Sequence, residues 1–394
     1  MKSAKFLFTG IALAAVIVVA LSVGIARAAP ACDPAYVTIS EGEISISPTG
    51  VDDTANIQCA FDEAVAAGPG TIVRLLPGDF YTGQIVVYDF HGSLTGAGLT
   101  VTTIFNLPDL YVAPGDYYLE APSADNPYPI LFAFVDGDFT ISDLGIRIVG
   151  ETPAQEWTIY GLGPIYDLAC AVAILGTDAH VEISHVLVEG EVHEASLFGY
   201  NLFNGIYYEG WNEWMGQPSP PLSGSFSVHD SMFRTLGYGT PILNLSNAVV
   251  AISRNLYKDL NCAMDGTDLV DSSYTFSHNK VEGVFFGLDF WDNILPGHTG
   301  TSFLITNNQF RNAVYAVAFE QTFGEGNQCL LLGNNVQNGN DIGILLGEAI
   351  YGCTVVGGSN KTNVLDLGTG NTLVGVNNMG TGVGPAIRRP MRPK

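Results

Sequence analysis

One short pattern recurs along this chain: an apolar-x-apolar run, a polar corner, a second short run and then a third. It reads Phe139-Thr-Ile141-Ser-Asp143, Val181-Glu-Ile183-Ser-His185, Phe226-Ser-Val228-His-Asp230 and Val250-Ala-Ile252-Ser-Arg254-Asn255. It continues as Tyr274-Thr-Phe276-Ser-His278-Asn279, Phe303-Leu-Ile305-Thr-Asn307-Asn308, Leu330-Leu-Leu332-Gly-Asn334-Asn335 and Cys353-Thr-Val355-Val-Gly357-Gly358. From Ile141 through Ile183, Val228, Ile252, Phe276, Ile305, Leu332 and Val355 the steps are 42, 45, 24, 24, 29, 27 and 23 residues. A fixed period of this size marks a repeat architecture, in which each unit cannot bury its apolar face alone. Runs of a few residues that alternate apolar and polar are strands. Stacked at about 4.8 Å they close each other's hydrogen bonds and build one continuous core. The short steps are single coils of a parallel β-helix, and the long ones are coils with insertions.

The corner after the first strand carries Asn255, Asn279, Asn308 and Asn335 at one phase, with Gly358 in the last coil. Asn and Gly tolerate the left-handed backbone that such a corner demands, and stacked amides can bond between coils. A structural ladder is expected there.

The N-terminal part adds a resemblance. Asp52-Asp53-Thr54 through Ile57-Gln58 and Ala64 look like the amphipathic helix that plugs one end of a pectate-lyase-like solenoid, with Asp53 or Thr54 as its N-cap. Thr71-Ile-Val-Arg-Leu-Leu-Pro77-Gly78-Asp-Phe-Tyr81, Leu94-Thr-Gly96-Ala-Gly98 and Thr103-Ile104 resemble that superfamily's first coils. Over roughly residues 50–380 the chain resembles the pectate-lyase-like (pectin lyase fold) superfamily. This implies an all-β fold, a right-handed parallel β-helix with an N-terminal capping helix, and no specific enzyme family. Polygalacturonases share the architecture, but here the adjacent pair Asp52-Asp53 falls in the cap and Pro296-Gly-His298-Thr-Gly300 lacks their tight Gly-His-Gly.

The resemblance also implies that the third strand and its flanking loops form the substrate groove. That strand reads Ala171–Leu175, Gly205–Glu209, Thr240–Asn244, Ala263–Asp265, Val284–Asp289, Ala313–Glu320 and Ile342–Glu348. Acids gather at its exit: Glu209, Asp265, Asp289 and Glu320, with Asp268, Asp292 and Glu348 just beyond. Two carboxylates across a glycosidic bond are the machinery of a glycoside hydrolase. Flat aromatic rings suit pyranose faces, and Tyr208, Trp211, Trp214 and Trp291 lie on or beside this strand. The expected function is an exported carbohydrate-active protein that binds a polysaccharide and cleaves it with Glu209, Asp265, Asp289 and Glu320 as the candidate acids. Two alternatives remain open: a polysaccharide lyase, and a non-catalytic glycan-binding or structural surface protein.

A lyase needs a base and a cation near the substrate. The groove strand has neither Arg nor Lys, although His193 and His298 lie in flanking loops. The bases fall elsewhere, in a column Arg147, Glu189, Arg234, Lys258, Glu282, Arg311, Asn338, Lys361 on the strand after the corner. Opposite charges stacked there support neighbouring coils. No cofactor is expected, although calcium held by the groove acids could bridge to an anionic sugar; no metal-ligand spacing demands it.

The chain holds 39 acidic and 15 basic residues, a net charge of −24. That balance excludes nucleic acid and anionic membrane as partners. Met1-Lys2-Ser3-Ala4-Lys5, an apolar run from Phe6 to about Ile25 and Ala26-Arg27-Ala28 read as a secretory signal peptide over residues 1–28. The run is long enough that a retained anchor is the alternative; after cleavage no stable membrane insertion is expected. Localisation is then secreted, periplasmic or cell-surface. Residues 29–380 form one solenoid domain, and 381–394, with Arg388, Arg389, Arg392 and Lys394, a disordered basic tail. An exported chain permits disulfides. Cys32 and Cys59 flank the start of the fold, Cys329 and Cys353 lie one repeat apart, and Cys170 and Cys262 read as buried thiols.

Overall fold

The computed structural model describes residues 32–107, 130–150, 157–158, 164–165, 168–193, 199–210, 221–290, 300–320, 328–337, 342–348, 350–358 and 362–379. The expected signal peptide and basic tail lie outside these residues. A 25-stranded sheet winds through the described chain. It opens on an antiparallel hairpin, Val37–Ser40 with Glu43–Ile46, and from there its ladders are parallel.

The repeat is the vertical register. Ile44, Val73, Leu94, Ile141, Ile183, Val228, Ile252, Phe276, Ile305, Leu331, Val355 and Leu373 pair successively, one per coil. All but the last are buried, because the alternation along each strand turns this position inward. The column corrects one expectation: Leu331, not Leu332, faces Ile305 and Val355. Leu332 points outward.

The corner ladder shifts by the same single residue. Asn334 takes the place expected for Asn335, and it pairs with Gly357 rather than Gly358. Asn279 Oδ1 accepts the Asn255 N–H at 2.9 Å, Asn308 Oδ1 that of Asn279 at 2.8 Å, and Asn334 Oδ1 that of Asn308 at 3.1 Å. Each amide donates to a carbonyl of the neighbouring coil: Val228, Ile252, Phe276 and Ile305 in turn, at 2.7–3.0 Å. The left-handed residue is the one before each Asn: Arg254, His278, Asn307 and Gly333, at φ +58°, +58°, +57° and +67°. The asparagines are therefore there for their amides and not for their backbone freedom.

The helix α1, Thr54–Ala67, turns Ile57, Ala60, Phe61 and Ala64 onto the first coils. Those positions follow the i, i+3, i+4, i+7 spacing of an apolar helix stripe. Phe61 meets Phe90 and Phe134 edge-on at 5.2 and 5.6 Å. Asp53 stands at the N-cap position without capping the helix. Its carboxylate accepts the N–H groups of Thr49 and Tyr81 at 2.7 and 2.9 Å, which ties the helix to the solenoid. A disulfide joins Cys32 to Cys59 of the helix, with Cα atoms 5.5 Å apart. A second joins Cys329 to Cys353, in register on adjacent coils at 4.6 Å, while Cys170 and Cys262 are buried free thiols.

Candidate functional site

The strand after the corner carries the charged column. Register places Arg147, Glu189, Arg234, Lys258, Glu282 and Arg311 one above another, ending on Gln337 where Asn338 was expected. Glu189 lies between Arg147 at 3.2 Å and Arg234 at 2.6 Å. Glu282 takes Lys280 at 3.0 Å and Arg311 at 3.5 Å, and the Lys280 hydrogen bond holds its carboxyl below the usual range. These bases are committed to neighbouring acids, as expected of a structural ladder.

The third strand is built differently. Its inward positions join the main core, as with Met264, Leu288, Val317 and Ile344, which pair in that order. One residue further, alternation turns the side chains outward. That outer column runs Ala133, Ala173, Tyr207, then Asp265, Asp289, Ala318, Leu345 and Leu365. Ile242 pairs with Gly266, so Pro241 flanks Asp265 from the coil before. An in-register pair of aspartates thus interrupts an apolar column.

Both acids are nearly covered: Asp265 is 7% and Asp289 9% exposed. Beside them runs a second outer column, Cys170, Asn204, Tyr238, Cys262, Phe286 and Tyr315. Cys262, Phe286, Ala318, Ile342, Leu345 and Leu365 form an apolar cluster separate from the main core, with Tyr238, Phe285 and Tyr315 packed against it. Burial pushes the Cys262 thiol well up, and the charges of Asp265 and Asp289 add to the shift. The two carboxylates therefore act on one buried, poorly solvated spot.

The other candidates separate from this pair. Glu209 is buried, 1% exposed, two coils before Asp265 and offset along the strand. It pairs with Leu175 and Leu243, and its charge adds to the upward shift that burial gives the Cys170 thiol. Glu320 lies two residues past Ala318, so its backbone is roughly 8 Å from that of Asp289 on the diagonal. Tyr208 is a correction. It points into the core, fully buried and stacked on Phe226 at 4.5 Å, with its hydroxyl donating to the Ala179 carbonyl at 3.0 Å. The parity of the strand turns Glu209 out and Tyr208 in, so both could not face a substrate. Trp211, Trp214 and Trp291 lie outside the described residues, as do Asp292 and His298.

Sequence reasoning missed the column Tyr238, Cys262, Phe286, Tyr315 as part of this surface. Its signal was present, since each of these residues stands three before the outer position that Asp265 and Asp289 occupy. Phe286 and Tyr315 stack on each other at 5.3 Å with planes 17° apart, which packs coil on coil. Among the described residues no group of three or more His, Cys, Asp or Glu side chains is arranged to hold a metal ion.

No family model and no curated protein matches the chain. Solved structures do. A polygalacturonase from Erwinia carotovora ssp. carotovora superposes over 85% of this chain and 89% of its own, at 10% identity and a TM-score of 0.51. The chain has a right-handed parallel β-helix fold, as that structure does. The catalytic unit of a GH87 alpha-1,3-glucanase from Streptomyces thermodiastaticus covers 87% of this chain and 65% of its own, at 12% identity and a TM-score of 0.44. PfbA, a surface adhesin of Streptococcus pneumoniae, covers 81% and 84%, at 14% identity and 0.43. At such identities the likeness is one of fold.

Proposed function

We propose that this β-helix is a carbohydrate-active protein that holds a polysaccharide along its third strand and cleaves it by glycoside hydrolysis, with Asp265 and Asp289 as the carboxylate pair. One observation carries the reading: two aspartates stand in register on adjacent coils, in a column otherwise lined by apolar side chains. Adjacent coils lie about 4.8 Å apart. That is nearer the ~5–5.5 Å of a nucleophile and an acid than the ~6.5–9.5 Å that leaves room for a water between them. Retention of configuration follows. One carboxylic acid protonates the glycosidic oxygen as the other attacks the anomeric carbon, and water, deprotonated by the first, then releases the sugar from the second. The polygalacturonase named above lends support by fold, since by its name it acts on a polysaccharide.

The third strand's outer columns, among the described residues, carry no Lys or Arg, which favours hydrolysis over elimination. Glu320, half-buried further along the same face, falls to the role of a sugar-hydroxyl acceptor, and Glu209, being buried, stays out of the contact surface. Two disulfides support an oxidising, exported setting. Among the described residues no helix is long and apolar enough to cross a membrane. Hydrolysis by this pair needs no metal, so EDTA leaves turnover unchanged; loss restored by Ca²⁺ instead identifies a bridging cation. The test is a panel of neutral and acidic polysaccharides read by reducing ends. Activity that survives both Asp265→Asn and Asp289→Asn removes the pair from the chemistry. An ultraviolet-absorbing unsaturated product moves the reading to elimination, and glycan retention without product moves it to binding alone.

A further inference from the structure

The first-strand sheet changes character along its length. Its N-terminal coils present Asp138, His180, Glu182 and His229 outward. From Val249 onward the outward positions read Val249, Ala251, Ser253, then Ser273, Thr275, Ser277, then Ser302, Leu304, Thr306. Gln328, Leu330 and Leu332 follow, then Thr354 and Val356, then Thr372 and Val374. None of these sixteen positions is ionisable, in a chain of net charge −24. Four of them are large apolar side chains left open: Val249 is 54% exposed, Leu304 39%, Leu332 43% and Val374 51%.

We propose that this uncharged half-sheet is a pairing surface for a second copy of the same chain. Two bodies so acidic repel each other wherever carboxylates meet, and here they can approach without apposing any. The side chains are short, as sheet-on-sheet packing at about 10 Å requires. A two-fold axis across the face would interdigitate Leu304, Leu330 and Leu332 with their own counterparts. The block lacks an aromatic ring on which a pyranose could stack, which favours protein over glycan as its occupant. It measures about 24 by 13 Å from coil and residue spacings. That is less than the ~800 Å² each partner gives to a standard interface, so the pairing is reversible.

Sedimentation velocity of the full chain over a wide concentration range reads the state directly. The mass of the wild type rises with concentration, and added salt strengthens association by screening the acidic flanks. Leu304→Lys and Leu332→Lys each weaken association roughly tenfold or more, because the axis sets the new charges against each other. Val51→Lys, on an open position outside the face, serves as the control and associates as the wild type does. Circular dichroism confirms that the variants fold. A wild type that stays monomeric throughout overturns the proposal, as does equal weakening by Val51→Lys. Monomers that pellet with an insoluble neutral polysaccharide, and cease to with Leu304→Lys, overturn it too and give the face to a glycan.

Discussion

Two columns of ionisable side chains run through this β-helix at the same coil spacing, and they are built on opposite rules. On the strand after the corner, Glu189 sits between Arg147 and Arg234, and Glu282 receives Lys280 and Arg311. Arg234 and Lys258 are like neighbours, but each has an acid on its other side. On the third strand, Asp265 and Asp289 stand next to each other among Tyr207, Pro241, Ala318 and Phe286, almost covered. Stacked opposite charges support a sheet and stacked like charges weaken it. A column that alternates is explained by stability. One that repeats an acid in an apolar setting costs stability, and such costs concentrate where chemistry is done.

Breaking the acid pair has the largest expected effect. Asp289→Asn keeps the shape and removes one carboxyl group, so turnover on a responsive glycan falls by about 10²–10⁴-fold. The melting temperature does not fall in the same variant, because the shape is kept and one of two stacked acids has gone. Calorimetry and a reducing-end assay on one preparation read both, and a fall in stability alongside unchanged turnover would make the pair structural. The neutral Asn column comes next, as the reference for a buried polar stack that is satisfied. Asn308→Ala strands the Asn279 N–H and the Phe276 carbonyl in the interior, at a cost of about 2–4 kcal/mol in the unfolding free energy read by denaturant titration. Glu189→Ala is smaller. It leaves Arg147 and Arg234 without their shared acid, but all three are part-exposed, so the loss is about 1 kcal/mol, or roughly 2 °C, with turnover unchanged.

The sequence made the solenoid legible because inward positions recur with the coil, and a period of that kind survives insertions. It failed where local pattern stopped deciding. Leu330, Leu331 and Leu332 are all apolar, so alternation could not say which one faces in, and Asn334-Asn335 offered two asparagines for one corner. That single ambiguity moved three columns by one residue, to Leu331, Asn334 and Gln337. At the site, composition showed that acids collect at the third strand but could not show which of them are vertical neighbours. Insertions of different length separate the coils, so Asp265 and Asp289 meet while Glu209 lies two coils away. Tyr208 was misassigned for a related reason: an aromatic residue next to a candidate acid in sequence points to the other side of the strand.

The exposed ion pairs, on that column and off it, also predict a pH dependence, smaller than any of these effects and different in origin. Arg254 donates to both carboxylate oxygens of Asp230, at 2.9 and 2.7 Å, and this holds the Asp230 carboxyl well below its ordinary range. Lys280 does the same for Glu282, and Arg74 for Glu43. A carboxyl whose folded value is depressed stabilises the fold above its unfolded value, and that stability is lost as pH falls through the folded value. The melting temperature should therefore hold from neutral pH to about 4.5, the ordinary value of a Glu carboxyl, and decline below it. The decline is shallow because these pairs are open to solvent, and 1 M salt makes it shallower still. Asp230→Asn combined with Glu282→Gln flattens the acid limb if these ion pairs are what titrates. An unchanged limb in that double variant would move the acid sensitivity elsewhere and leave these pairs valued for their packing alone.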